Sequence, residues 1–126
     1  MRTTIYDKLI ATMPQGLEKA VVQVLKYHVG KEQAIKKDAI LADLKNMGYT
    51  PHERQFRDAV RNLRRDGWLV GSFSADGYFL IANKAEFDQF ANTEIRPRIA
   101  DLSETLSAME TAARQRFGEA VQVGLL

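Results

Sequence analysis

The chain has 126 residues, 45% of them hydrophobic and 27% charged, and no cysteine. That length and composition suffice for one buried core and exclude wholesale disorder. The missing thiols exclude a disulfide scaffold, a thiolate zinc site, an iron–sulfur cluster and a cysteine nucleophile.

The net charge of +2 conceals an asymmetry. Residues 1–67 carry 13 Lys/Arg against 8 Asp/Glu, whereas residues 68–126 carry 5 against 8. The first half is suited to a polyanionic partner and the second is not. The N-terminal arm, residues 1–16, lacks the apolar run of a signal peptide, and no window approaches the roughly 18 apolar residues of a membrane span. A soluble, cytoplasmic protein with no membrane partner is expected.

Within the arm, Tyr6, Leu9, Ile10 and Met13 recur at helical spacing and predict a short amphipathic helix over residues 4–13, interrupted by Pro14 and Gly16. Leu17, Val21, Val24, Leu25 and His28 form the next helical stripe, which ends at Gly30. Residues 31–36 are too short for a helix and read as loop or brief strand. Asp38 is an N-cap candidate for a helix over residues 39–47, with Ile40, Leu41, Leu44 and Met47 on its apolar face and Gly48 as its stop. Thr50-Pro51-His52-Glu53 has the form of a capping box with proline at the first helical position. A helix is therefore predicted over residues 51–66, burying Phe56, Ala59, Val60 and Leu63. Residues 68–73 and 78–81 are aromatic and β-branched, and the link Ser74-Ala75-Asp76-Gly77 predicts an antiparallel hairpin. Trp68, Phe73, Tyr78 and Phe79 read as core at that spacing.

From Lys84 to Phe117 the pattern is helical. Phe87, Phe90 and Ala91 are expected to lie back on the preceding part. Ile95, Ile99, Leu102, Leu106 and Met109 follow one another at alternating intervals of four and three, a heptad seam of the coiled-coil kind that predicts a homodimer through this helix. Pro97 either kinks one long helix or opens a second. The tail, residues 118–126, has no assignment. The expected fold class is mainly α with a small β-hairpin, divided into residues 17–83 and a long C-terminal helix, residues 84–117.

The order helix, helix, three-residue turn (Gly48-Tyr49-Thr50), helix and hairpin is that of a helix-turn-helix followed by a wing. The runs Asp38-Ala-Ile-Leu-Ala-Asp-Leu-Lys-Asn-Met-Gly48, Thr50-Pro-His-Glu-Arg-Gln-Phe-Arg-Asp-Ala-Val-Arg-Asn-Leu-Arg-Arg-Asp-Gly-Trp-Leu-Val70 and Gly77-Tyr-Phe-Leu-Ile81 resemble the winged helix-turn-helix family. With its long C-terminal helix the chain is similar to small phage- or prophage-encoded winged-helix proteins. The resemblance covers roughly residues 17–82. It implies that helix 51–66 enters the major groove of double-stranded DNA, with base contacts from Arg54, Gln55, Arg57, Asp58 and Arg61.

The residues of that helix point the same way independently. At about 100° per residue, Arg54, Arg57, Arg61, Arg64 and Arg65 share one solvent face opposite or beside the apolar stripe, with Gln55 and Asn62 on the other flank. Guanidinium groups bind phosphate or the guanine edge in bidentate fashion, and amides pair with adenine. Lys36 and Lys37, with Lys31, are phosphate candidates, and His52 either contacts phosphate or is exposed. The segment 68–82 departs from the usual wing in containing no Lys or Arg. With two histidines and no glycine-rich phosphate loop, no catalytic residue, metal site or cofactor is expected; His28 reads as a half-buried helix-face residue. The expected function is sequence-specific DNA binding, as a phage-type regulator or replication accessory. The alternative is a winged-helix protein–protein interaction module, for which a solvated arginine face and a wing without basic residues would suffice.

Overall fold

The computed structural model describes residues 5–118, so the tail expected over residues 118–126 lies outside the described residues except for Gly118, as do the first four residues of the arm. The described elements are α1 (Ile5–Ala11), α2 (Leu17–Leu25), a 3₁₀ turn (Lys31–Gln33), α3 (Lys37–Asn46), α4 (Glu53–Arg65), β1 (Val70–Phe73), β2 (Gly77–Leu80), α5 (Lys84–Phe90), a π-helical turn (Ala91–Ile95) and α6 (Arg96–Phe117). The protein is thus mainly helical, with one two-stranded antiparallel hairpin and a long C-terminal helix. None of the described helices is long and apolar enough to cross a membrane. The chain divides into two compact units, Met1–Phe90 and Ala91–Leu126. Both α1 and α5 fall in the first unit.

In the first unit, the apolar stripes of α2, α3 and α4 converge. Val21, Val22 and Leu25 of α2, Ile40 and Leu44 of α3, and Phe56, Val60 and Leu63 of α4 are buried in one cluster that also takes Ile10 of α1 and Val70 and Leu80 of the hairpin. Removing the ring of Phe56 by mutation to alanine would cost about 3–5 kcal/mol at such a site. The short helix α1 is held by a Lys26–Asp7 ion pair of 2.9 Å and by Tyr6 stacked on Trp68 at 6.4 Å between ring centroids.

The hairpin pairs Val70 with Leu80, Gly71 with Phe79, Ser72 with Tyr78 and Phe73 with Gly77. Side chains alternate across β2, as the period of two requires. Tyr78 and Leu80 face the helical cluster, with Tyr78 edge-on to Phe56 at 5.3 Å, while Phe79 and Ile81 form a second cluster with Phe90. Phe90 thus lies back on the domain as expected, whereas Phe87 remains 39% exposed.

The other edge of β2 is not free. Leu80 donates to the His28 carbonyl at 2.9 Å and accepts from Gly30 at 2.8 Å, and Tyr78 and Ile35 exchange two bonds of 2.8 Å. Residues 28–35 therefore act as a broken third strand around the 3₁₀ turn. This is why α2 stops at Leu25 and not at His28: the backbone beyond it is taken up by the sheet. It also explains Gly77, whose φ is +103° and whose absent Cβ would run into the Ile35 carbonyl.

Two expected helix starts are corrected. α3 begins at Lys37 with Lys36 at its N-cap and no side-chain cap, so Asp38 lies in the first turn, its charge near the positive end of the helix dipole. α4 begins at Glu53, capped by His52 and not by Thr50.

In the second unit the helical path runs through the proline. Pro97 falls immediately after the π turn. A proline there has no N–H to offer the carbonyl of Thr93 and would crowd it in a regular α-turn; the wider turn relieves both problems. α6 then continues for 22 residues, about 33 Å at 1.5 Å per residue, and ends at Gly118 with φ +79°.

Candidate nucleic-acid interface

The candidate site is built on α4, whose start is fixed by a reciprocal cap. The Gln55 backbone N–H donates to His52 Nδ1 at 3.3 Å, and the His52 N–H donates to Gln55 Oε1 at 3.0 Å. This box sits two residues further along than the Thr50–Glu53 pairing the sequence suggests. Glu53 is otherwise engaged: its carboxylate receives the Lys37 ammonium at 2.9 Å, joining the starts of α3 and α4. Lys37 holds the Glu53 carboxyl below the ordinary carboxylate value, and Glu53 in turn raises the Lys37 ammonium.

With Phe56, Ala59, Val60 and Leu63 buried beneath it, α4 presents Arg54, Arg57, Arg61 and Arg65 to solvent. Their spacing of three, four and four places them in one row along the helix, about 16 Å from first to last. Arg61 is bound to Asp58 at 2.8 Å, one turn earlier. Arg54 and Arg65 make no ion pair among the described residues.

Arg64 is the correction to the expected five-arginine face. It sits on the flank of α4 nearest the hairpin. Its Nε donates to the Val70 carbonyl at 2.7 Å and its Nη2 to Ser72 Oγ at 3.1 Å, and its guanidinium lies over the Phe90 ring at 5.0 Å. It is half-buried and fastens α4 to β1, so four arginines and not five form the row.

Gln55 serves the cap through its Oε1. Asn62 donates to Glu18 Oε2 at 3.2 Å, tying α4 to α2. Both amides lie beside an open groove of about 630 Å³, walled by Gly16–Glu18 and the turn from Gly48 to Pro51. They are therefore on a different flank from the arginine row. Lys36 donates to the Ala75 carbonyl in the hairpin turn, and Lys31 lies over the Phe73 ring at 4.9 Å. His52 is exposed, and its Nδ1 is committed to the cap. His28 is half-buried with Nδ1 2.8 Å from the Gln33 carbonyl, which makes it a donor there. Phe73, at the hairpin end, stacks on Phe79 and meets Phe90 edge-on, so its ring is spent on packing.

One structural residue escaped the sequence reading. Glu86 accepts from the backbone N–H groups of Ala82 and Lys31, each at 2.9 Å, while its own N–H is capped by Asn83 Oδ1. The spacing Asn83-Lys-Ala-Glu86 was a legible helix-start signal.

The row can do what guanidinium groups do: donate planar, charge-assisted hydrogen bonds to phosphate oxygens or to a guanine edge. Among the described residues no group of three or more His, Asp or Glu side chains is placed to hold a metal ion. Compared with known protein families, curated proteins and solved structures, the chain matches none.

Proposed function

We propose that this chain binds double-stranded DNA as a winged helix-turn-helix protein, with α4 laid along the major groove. The observation that carries the proposal is the row Arg54, Arg57, Arg61 and Arg65, exposed on the side of α4 opposite its buried stripe. The order α2, α3, α4 and hairpin supports it: in such an arrangement the helix after the turn is the one that enters the groove. Arginine–phosphate attraction supplies affinity, and base-edge contacts from Arg54, Arg57 and Arg61 supply selectivity. Binding of this kind suits a regulator or a replication accessory.

The test is fluorescence anisotropy on labelled duplexes over roughly 50–200 mM salt, a range in which each phosphate contact contributes about −0.9 to the log–log slope. A steep loss of affinity is expected. Affinity that does not change over that range would refute the electrostatic basis. A second reading rests on the hairpin, which carries no Lys or Arg between residues 68 and 82. A protein-docking module would bind no duplex under these conditions.

A further inference from the structure

A stripe of apolar side chains stands exposed along α6 and at Ile95 just before it. Ile95, Ile99, Leu102, Leu106 and Met109 are all exposed, Leu102 by 68% and Met109 by 66%, which is unusual for large apolar side chains sharing one helix face. We propose that a second copy of this chain covers the stripe, with the two α6 helices antiparallel and centred on residue 104.

Volume and charge choose the direction. In heptad terms Ile99, Leu106 and Ala113 occupy position a, while Ile95, Leu102, Met109 and Arg116 occupy position d. In an antiparallel pair centred on residue 104, Leu102 meets Leu106 of the second copy, Ile99 meets Met109, and Ile95 meets Ala113. Each layer then joins comparable or complementary volumes, the large Ile95 facing the small Ala113. The flanking e positions are Arg96, Ser103 and Glu110. In this register Arg96 of one copy lies beside Glu110 of the other, twice by symmetry, and Ser103 meets its own equivalent. Arg96 has donors to spare beyond its 2.5 Å bond to Asn92. The opposed helix dipoles add a further small attraction.

The parallel, in-register pairing stacks identical residues from Ile95 to Met109 but fails beyond them and at the flanks. It sets Ala113 against Ala113, leaving a void, and Arg116 against Arg116 across the seam. Its flanking contacts run from g to the next e, joining Arg98 to Ser103 and Thr105 to Glu110, with no opposite charges matched. In the antiparallel register Arg116 falls beyond the paired segment. The pairing does not depend on DNA binding by α4.

The cysteine-free sequence makes the register directly measurable. Ile99→Cys and Met109→Cys are made as separate single variants, both at exposed positions, with helicity checked by circular dichroism. Light scattering on the intact chain at micromolar concentration should give a dimer. Under mild oxidation neither variant alone should cross-link, because each cysteine would be about 15 Å along the axis from its own copy. An equimolar mixture should give the mixed disulfide dimer. Glu110→Arg should weaken the dimer roughly tenfold, and adding Arg96→Glu should restore it. A disulfide dimer of Met109→Cys alone would establish the parallel pairing and overturn the proposal. So would a monomer mass for the intact chain, or a dimer whose variant mixture fails to cross-link.

Discussion

Arg64 and Val70 are joined by a hydrogen bond of 2.7 Å from the guanidinium Nε to the backbone carbonyl of the first residue of β1. The bond turns a side chain that would otherwise extend the basic face into the fastening between α4 and the hairpin. A second donor from the same guanidinium reaches Ser72, and the plane of the group rests on Phe90. Two arginines adjacent in sequence, Arg64 and Arg65, thus have different tasks. Arg64→Ala should lower stability by about 1–3 kcal/mol, because a charged hydrogen bond is lost and the Val70 carbonyl loses a partner. Arg65→Ala should change stability by less than about 0.5 kcal/mol, as exposed surface substitutions usually do. Urea denaturation of the two variants checks the difference; equal midpoints would mean that the Arg64 contacts contribute nothing net.

The arginine row makes a complementary prediction about DNA. Arg54→Ala and Arg61→Ala should weaken binding to a preferred duplex more than to random duplex, by about 1–3 kcal/mol of lost discrimination each. Arg65→Ala should weaken both alike and reduce the salt slope by about 0.9, as expected of a phosphate contact. Lys37→Ala should also act on both duplexes alike, and more weakly, since Lys37 is already paired with Glu53. Anisotropy titrations on the two duplexes separate these outcomes; uniform losses at all four positions would leave the row with phosphate contacts alone.

The cap of α4 can be tested against its near alternative. His52→Ala removes the acceptor for the Gln55 N–H and should cost about 1 kcal/mol. Thr50→Ala removes the hydroxyl of the expected capping residue and should cost almost nothing. Thermal or urea unfolding of the two variants decides between the frames, and a larger loss at Thr50 would restore the earlier one.

The reason that the two frames compete shows where sequence reasoning reaches its limit. Thr50-x-x-Glu53 and His52-x-x-Gln55 are overlapping helix-start patterns, and Thr/Glu is the commoner pair. The choice is made by Lys37, thirteen residues before Thr50, which draws the Glu53 carboxylate to the start of α3. Amphipathic spacing made the buried stripe of α4 legible, because a 3.6-residue period names its own inner face. The hairpin was legible from Asp76-Gly77 between aromatic runs. The fate of Arg64 was not, since its position on the helix flank leaves open whether the sheet or solvent lies beside it. The early end of α2 was hidden for a similar reason: His28 and Gly30 are recruited by Leu80, about fifty residues away in sequence. Local periodicity sees neither partner.

The Lys37–Glu53 pair also predicts a dependence on pH. Glu53 has its carboxyl lowered from 4.5, first by the hydrogen bond from Lys37 and then by the charges of Lys37 and Arg57. A carboxyl lowered in the folded state contributes stability that is present above its unfolded value and lost as pH falls through the folded value. The contribution is therefore intact at pH 6 and fades below 4.5. Lys37 is raised by the same contact, so at the basic end the pair's contribution is present below 10.5 and is lost as pH rises through the raised value. Both groups are exposed, which keeps the effect small and sensitive to salt. Nuclear magnetic resonance of the Glu53 side-chain carboxyl should show a midpoint below 4.5 in the native sequence, moving back toward 4.5 in Lys37→Gln. The residual downward pull of Arg57 should survive that substitution and disappear in Lys37→Gln/Arg57→Gln. A Glu53 midpoint unmoved by Lys37→Gln would show that the ion pair does not hold in solution. The starts of α3 and α4 would then be joined by their shared core alone.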